Sequence, residues 1–511
     1  MPPSSTMPRH TRRLARMASA LRAADVRAPL SSAGVGSAAV GAAGVAGGSF
    51  ALEECTIESI QSALKAGSLT CVQLVELYLA RIKAFNGQSV RYGEGGLLTD
   101  DVELVPNSGQ LNALASLNLR PARREAWGFD RIKARSLTDD VDADADKPDA
   151  LEVAAQLDAA LAETGELVGP LHGACFAIKD QYDTADMRTT SGADVDYADD
   201  RPPRDANFVA RLRAAGAIIL AKSNLGEYAS GNPRSSFGGV FVNAYDTTRS
   251  PMGSSSGSAV AVSANLCTCG IAEETGTSVR GPAVYASCVG IAATQELVSR
   301  HGMIDSGINT RCGPICRTVA DAAKVLSVIS GWDPEDELTS LQVGRTPDVP
   351  YESFCTAEPG ATKPLAGLRI GVMREYMDKG RFSVIDHENL DIVSAAIEQL
   401  GALGATIVEP TGPHVGLLTP YLHKHFPAYF NKAWAENEGK ELFPEGTNMI
   451  SKLLSLSEHP SMVPYTLDIN SLSGSSGTAF VSMLAAASSV DLTCLPSAPA
   501  RLRRRGRAHT A

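Results

Sequence analysis

Apolar residues early in the chain recur at the spacing of amphipathic helices. Thr56 predicts the N-cap of a first helix, which Gly67 ends. Thr70, with Gln73 three residues later, has the pattern of a capping box. The helix that follows, residues 72–85, carries its apolar side chains on one stripe. We therefore expect the ordered part of the chain to begin with two helices that each bury one face.

Short apolar runs separated by helical patterns follow in the middle of the chain. Residues 174–178 and 217–221 are continuous apolar runs, which are typical of strands buried on both faces. Between them, Asp205 predicts the N-cap of a helix that Gly216 ends. The same alternation returns later, with a strand, a helix and a strand predicted at 368–373, 390–400 and 405–408.

Strands that alternate with helices over most of the chain predict an α/β fold. We expect a single large domain with a mixed, mainly parallel β-sheet and helices on both faces. Neither a repeat nor a Pro/Gly-rich linker divides residues 53–500, which form the predicted domain. Residues 1–52 are predicted to be an N-terminal tail and residues 501–511 a basic tail, and the acid-rich residues 136–149 predict a surface loop.

The composition narrows the class of protein. The 511 residues are 44% hydrophobic and 20% charged, which excludes a disordered chain and a small disulfide scaffold. A net charge of −11 argues against a nucleic-acid binder, and outside the N-terminus no apolar stretch approaches the roughly 20 residues of a membrane span. The ten cysteines form no C-x-x-C pair and lack histidines at zinc-ligand spacing, so we expect no metal site.

The first 52 residues differ in composition from the rest. Arginines dominate up to Arg27, with Asp25 as the only acidic residue, and residues 28–52 are uncharged and rich in small side chains. A basic segment followed by a weakly apolar one resembles a peptide for export or organelle import. The alternative is a low-complexity tail on a cytoplasmic protein.

Three segments in the middle of the chain carry candidate chemistry. The Gly/Ser run 253–258 precedes small residues, which predicts a turn into a helix with free N–H groups. Ser278 follows a Gly-containing turn that can align backbone N–H donors beside a nucleophile. Lys179 ends a buried strand, and burial can lower the pKa of a lysine enough to make it a base. Lys222 ends a strand in the same way, so the residues alone do not choose between the two lysines.

These segments, together with residues 222–227, resemble the amidase signature family of serine hydrolases. The resemblance covers about residues 56–336. It implies that Ser278 is the acylated nucleophile. It also implies that Ser254, reached through a cis Gly253–Ser254 bond, is the bridging serine and Lys179 the base.

The resemblance extends to the groups around the nucleophile. It implies an oxyanion hole formed by the backbone N–H groups of Thr275, Gly276, Thr277 and Ser278, a supporting role for Lys222, and no cofactor. Glu274 and Arg280 are expected to brace the turn by their opposite charges. Three departures stand out: Thr277 and Ser256 each occupy a position where the family has glycine, and the C-terminal part is shortened relative to family members.

The activity that the resemblance implies is hydrolysis of a small-molecule carboxylic amide to an acid and ammonia or an amine, with esters as side substrates. Two alternatives remain open. One is an amidase-like subunit of a glutamine-dependent tRNA amidotransferase, which would require partner subunits. The other is a non-catalytic truncated remnant.

Overall fold

The computed structural model describes ten stretches of the chain: 50–92, 102–105, 108–136, 144–194, 201–231, 233–304, 310–355, 362–374, 377–381 and 387–409. The predicted tail 501–511 and nearly all of the predicted tail 1–52 lie outside these stretches. The described residues fall into two compact units, one made of residues 50–355 and the other of residues 362–409. The predicted domain boundaries at residues 53 and 500 stay a prediction.

The α-helices and strands are numbered in chain order over the described residues. The helices are α1 (Ile57–Lys65), α2 (Cys71–Phe85), α3 (Pro121–Ala126), α4 (Ala150–Thr164), α5 (Asn207–Ala214), α6 (Ser256–Ser263), α7 (Arg280–Tyr285), α8 (Val319–Ile329) and α9 (His387–Ala402). The strands are β1 (Val90–Tyr92), β2 (Val102–Leu104), β3 (Leu114–Leu117), β4 (Cys175–Lys179), β5 (Ile218–Ser223), β6 (Arg234–Ser235), β7 (Gly239–Val240), β8 (Cys269–Glu274), β9 (Val289–Gly290), β10 (Arg311–Cys316), β11 (Arg369–Gly371) and β12 (Thr406–Val408). Short 3-10 helices lie at Arg131–Lys133, Glu227–Ala229, Gln295–Leu297, Glu337–Gln342, Tyr351–Cys355 and Lys379–Arg381.

A six-stranded sheet organises the larger unit. Within the described residues its strand order is β3-β5-β4-β8-β10-β9. The central strand β4 pairs in parallel with β5 and with β8, and the three outer pairings, β3 with β5, β10 with β8 and β9 with β10, are antiparallel. The predicted α/β fold with a mixed sheet is therefore confirmed. The parallel pairing is confined to the centre, where helices connect the strands, because parallel neighbours require a crossover connection.

Helices cover both faces of this sheet. Successive side chains of a strand point to opposite faces, so the two halves of β4 sort into different cores. Cys175 and Ala177 belong to an apolar cluster that includes residues of α2, α4 and α6. Phe176 and Ile178 belong to a second cluster that includes residues of α5 and α8. Both predicted apolar runs are thus strands buried on two sides, as their sequences indicated.

The two N-terminal helices begin where the caps predicted. The Thr56 side chain accepts from the backbone N–H of Ser59, and the Ser59 side chain bonds back to Thr56. Thr70 and Gln73 form the expected capping box of α2. Each box satisfies backbone donors that the first turn of a helix leaves without a partner.

The predicted cap at Asp205 is wrong. Helix α5 begins one residue later, with Ala206 at its N-cap and no side-chain capping bond. The Asp205 carboxylate instead accepts from the backbone N–H of Ala185 at 2.8 Å and pairs with Arg213 at 2.9 Å. Tertiary contacts therefore use the carboxylate that the local pattern assigned to the cap.

The acid-rich stretch 136–149 is only partly a surface loop. Residues 137–143 lie outside the described residues, and residues 144–148 are exposed or half-buried. Asp149, in contrast, is fully buried, caps α4 in a capping box with Glu152, and pairs with Arg123. The last acidic residue of the stretch is therefore part of the folded core.

The smaller unit contains the three elements that its sequence predicted. Strands β11 and β12 pair in parallel, and helix α9 lies between them in the chain. This order is a β-α-β unit.

Candidate active site

Two of the predicted catalytic side chains meet in the interior of the larger unit. Lys179 is the last residue of β4, and Ser254 lies in the turn that leads into α6. Both residues are 0% exposed. Lys179 Nζ donates to Ser254 Oγ at 2.7 Å, which is the contact that a lysine and a bridging serine need for proton transfer.

Close backbone packing fixes the turn that carries Ser254. A side chain at Gly253 would place its Cβ 2.5 Å from the carbonyl oxygen of Gly231. A Cβ at Gly257 would lie 2.3 Å from the carbonyl oxygen of Ala113, so the Gly/Ser run is a tightly packed turn rather than a linker. The Gly253–Ser254 peptide bond is cis, as the resemblance implied.

Ser278 lies on the turn between β8 and α7 and is half-buried. Within the described part of the chain, no hydrogen bond joins its Oγ to Ser254 Oγ. The backbone N–H groups of Gly276, Thr277 and Ser278 likewise have no acceptor among the described residues. Thr275 and Gly276 are exposed, so this row of donors is open to a ligand.

The expected brace of this turn is present. The Glu274 carboxylate is fully buried and accepts from the backbone N–H groups of Val279 and Arg280, each at 3.1 Å. It also pairs with the Arg280 guanidinium at 2.7 Å, and Arg280 in turn donates to the carbonyl of Gly276 at 2.9 Å. These bonds hold both ends of the turn around Ser278.

The structure adds one residue to the site that the sequence analysis did not single out. Glu273 is 1% exposed, and its Oε2 lies 2.7 Å from Lys179 Nζ. Its other carboxylate oxygen accepts from Thr275 Oγ1 at 2.8 Å. The available signal was a carboxylate inside a buried strand, which needs a cationic partner such as the lysine on the neighbouring strand.

Lys222 lies apart from the two serines. Its Nζ donates to Asp180 Oδ1 at 3.3 Å, to the Tyr182 carbonyl at 2.8 Å and to Thr189 Oγ1 at 3.0 Å. Burial lowers the pKa of Lys222, and burial also raises the pKa of its partner Asp180. The contacts that distinguish the two buried lysines are therefore tertiary: only Lys179 donates to a serine of the Gly/Ser run.

Two further observations concern ligands and membranes. No group of three or more metal-ligating side chains is assembled among the residues that the structure describes. In the same part of the chain, no helix has both the length and the apolar character required to cross a membrane.

The fold and this site are those of amidases. A family model described as "Amidase" matches residues 130–467, about two thirds of the sequence. The chain belongs to the amidase family, and the resemblance drawn from its motifs is confirmed.

Curated relatives and solved structures agree with this assignment. One relative, from Salinispora tropica, is the amidase-like component of glutamyl-tRNA(Gln) amidotransferase; it is 37% identical over 298 residues, which cover 58% of this chain and 58% of that relative. The corresponding protein of Paraburkholderia xenovorans is 33% identical over 380 residues, covering 74% of this chain and 65% of that protein. The native peptide amidase from Stenotrophomonas maltophilia is 27% identical, with a TM-score of 0.54 over 89% of this chain and 79% of the other. The chain thus spans less than two thirds of the length of these curated relatives.

Proposed function

We propose that the protein hydrolyses a small-molecule carboxylic amide through an acyl-enzyme on Ser278, with Ser254 as the bridging serine and Lys179 as the base. The observation that carries the proposal is the buried 2.7 Å contact between Lys179 Nζ and Ser254 Oγ. A serine hydroxyl needs a base to attack a carbonyl at neutral pH, and this contact supports a lysine in that role.

The reaction begins with a neutral Lys179. Its Nζ takes the proton of Ser254, which takes the proton of Ser278 as Ser278 Oγ attacks the carbonyl carbon. The oxyanion that forms is stabilised by backbone N–H groups of the turn Thr275–Ser278. The relay then returns a proton to the leaving nitrogen, and the C–N bond breaks to release ammonia or an amine.

Hydrolysis of the acyl-enzyme repeats the sequence with water. The relay takes a proton from a water molecule, whose oxygen attacks the acyl carbon, and Ser278 leaves with its proton restored. The product is the carboxylic acid. Because an ester would form the same acyl-enzyme, we expect esterase activity as a side reaction.

A panel of amides and esters tests this proposal. Purified protein is incubated with short aliphatic, aryl, fatty acyl and peptide C-terminal amides and with the matching esters, and the release of ammonia or amine is measured. Ser278→Ala is the control, because it keeps the binding surface and lacks the nucleophile. Failure of every substrate, with no labelling of Ser278 by a fluorophosphonate, would favour a non-catalytic remnant instead.

A second candidate is glutamine hydrolysis within a tRNA amidotransferase complex. The identity of 37% to a protein of such a complex favours it. On this alternative, ammonia release from glutamine should exceed release from the other amides and should rise when partner subunits are added. An enzyme that prefers other amides and acts alone would exclude it.

A further inference from the structure

The pair formed by Lys179 and Glu273 has a consequence for the relay that rests on the proposed function. Lys179 Nζ lies 2.7 Å from Glu273 Oε2 and 3.4 Å from the Glu273 backbone carbonyl, in addition to its contact with Ser254. Neither side chain is more than 1% exposed. The base of the relay is therefore in direct contact with a carboxylate that is shielded from water.

The position of Glu273 also links the base to the turn of the nucleophile. The alternation of β8 places Glu273 on the same face as Cys269 and Ile271, which belong to the apolar core. Its Oε1 accepts from Thr275 Oγ1, two residues further along the chain. One carboxylate thus contacts both the lysine and the first residue of the turn that carries Ser278.

The charge state of Lys179 decides the direction of proton transfer. As an ammonium ion, Nζ donates to Ser254 Oγ, and Ser254 has no acceptor on Nζ to which it could pass a proton. Only neutral Nζ has the lone pair that takes the proton of Ser254. An opposite charge in contact stabilises the ammonium form, and a buried site strengthens that attraction.

We propose that Glu273 is a positioning residue that holds Lys179 as an ammonium ion and thereby sets the pH above which the relay operates. Activation is the loss of one proton from Nζ to bulk water. Glu273 keeps its negative charge in this step, and Nζ gains the lone pair that accepts from Ser254.

Other titratable groups around the pair are assigned to different partners or titrate elsewhere. Asp180, next to Lys179 in the chain, contacts Lys222 and Thr190, and its pKa is raised by burial. The Tyr182 hydroxyl donates to the Ala272 carbonyl at 3.1 Å, and burial holds the pKa of Tyr182 well above its ordinary value. Cys312 lies opposite Glu273 on β10, and burial first, then the charge of Glu273, raise the pKa of its thiol to about 12.

The test compares full pH profiles of kcat/KM for the wild-type protein and Glu273→Gln on one amide. Removal of the carboxylate should move the limb that rises with pH toward lower pH by about 1 to 3 units, the range for an opposite charge in contact. At a pH below both midpoints, kcat/KM of the variant should exceed the wild-type value about tenfold for each unit of that shift. A limb that stays in place or moves to higher pH overturns the proposal, and so does loss of activity at every pH in a folded variant.

Two control variants separate charge from structure. Glu273→Asp keeps the charge and shortens the side chain, and it should keep the limb within about half a pH unit of the wild-type position if charge sets the midpoint. Glu335→Gln makes the same chemical change at an exposed ion pair with Arg204, and it should leave the profile unchanged. A shift of the same size in Glu335→Gln would show that total charge, rather than this contact, moves the limb.

A direct titration keeps the inference separate from the proposed activity. Lysine-selective ¹⁵N NMR, with the Nζ signal assigned by its absence in Lys179→Arg, should show an ammonium at pH 7 in the wild-type protein. A neutral Lys179 at pH 7 overturns the inference even if Glu273→Gln fails to fold. An ammonium at pH 7 together with no turnover of any amide would leave the inference standing and reject the proposed function.

Discussion

Ser278 is the residue on which the proposed covalent step depends, because the described site offers no second hydroxyl at the same turn position. Its half-buried location beside open N–H donors contrasts with the fully buried Lys179 and Ser254. The nucleophile therefore lies where a substrate can reach it, and the groups that move its proton lie in the interior.

Replacement of Ser278 by alanine should remove essentially all turnover and leave the fold intact. No contact of its side chain within the described residues contributes to stability, so the melting temperature should stay within a degree or two of the wild-type value. The measurements are kcat on the best amide of the panel and a thermal melt. Turnover above a few per cent of the wild-type value would exclude Ser278 as the nucleophile.

The two relay residues should differ in the severity of their loss. Lys179→Ala should lower kcat/KM by at least about 10²–10⁴-fold, the usual contribution of acid–base catalysis, and should abolish the limb that rises with pH. Ser254→Ala should be milder, because a water molecule can occupy the gap between Lys179 and Ser278. Full pH profiles of both variants are the measurement. If Lys179→Ala keeps the wild-type limb at reduced height, another base acts, and Lys222 is the next residue to replace.

Helix α6 illustrates how an element of low local preference is held in place. Its sequence contains a glycine and three serines, which are weak helix formers, yet all eight residues are buried. Its N-terminal turn packs so closely that the backbone carbonyl of Asn224 accepts from the N–H of Gly257 at 2.9 Å. Tertiary packing therefore positions the turn of Ser254.

Gly257→Ala should destabilise this element strongly. The added Cβ would lie 2.3 Å from the Ala113 carbonyl oxygen and 2.4 Å from that of Asn224, and backbone atoms cannot move aside cheaply. We expect a loss of about 3 kcal/mol or more in the free energy of unfolding, at the upper end for overpacking. The matched control is Gly231→Ala, where nothing lies within 4 Å of the new Cβ. Urea denaturation of both variants measures the difference, and equal stabilities would contradict the packing argument.

At the scale of the whole molecule, ion pairs join distant parts of the chain. Arg300 and Asp336 form a nearly buried pair at 2.6 Å, and Asp336 also accepts from the backbone N–H of Arg300 at 2.8 Å. Burial alone would raise the pKa of Asp336, but the hydrogen bonds and charge of Arg300 outweigh it and hold the pKa below its ordinary value. The stabilisation from this pair is therefore present above the unfolded-state pKa of about 3.9 and is lost as pH falls through the lower folded-state value.

Asp336→Asn should reveal this linkage in the pH dependence of stability. At pH 6 to 7 the variant should be less stable by about 2 kcal/mol, the scale of hydrogen bonds to a charged group. The difference should shrink as pH falls below about 4, because the wild-type carboxylate then takes up a proton. Urea denaturation of both proteins between pH 3 and 7 measures it. A difference that stays constant down to pH 3 would show that the charge of Asp336 contributes nothing.

The sequence by itself determined most of the elements and the order of the site motifs. The two capped helices, the buried strands β4 and β5 and the β-α-β unit follow from local patterns, because caps and hydrophobic periodicity act within a few residues. The Gly/Ser run and the turn of Ser278 were found in the same way, since their chemistry requires particular residues at close spacing.

Only the tertiary structure decided which side chains meet. Lys179 and Lys222 both end buried strands, and the contact with Ser254, 75 residues away, distinguishes them. The Asp205 carboxylate left the cap for Arg213, and Asp149 moved from a predicted loop into the core. Glu273 stayed unnoticed for the same reason. A buried charge is stabilised by a partner from elsewhere in the chain, and neither local spacing nor composition specifies that partner.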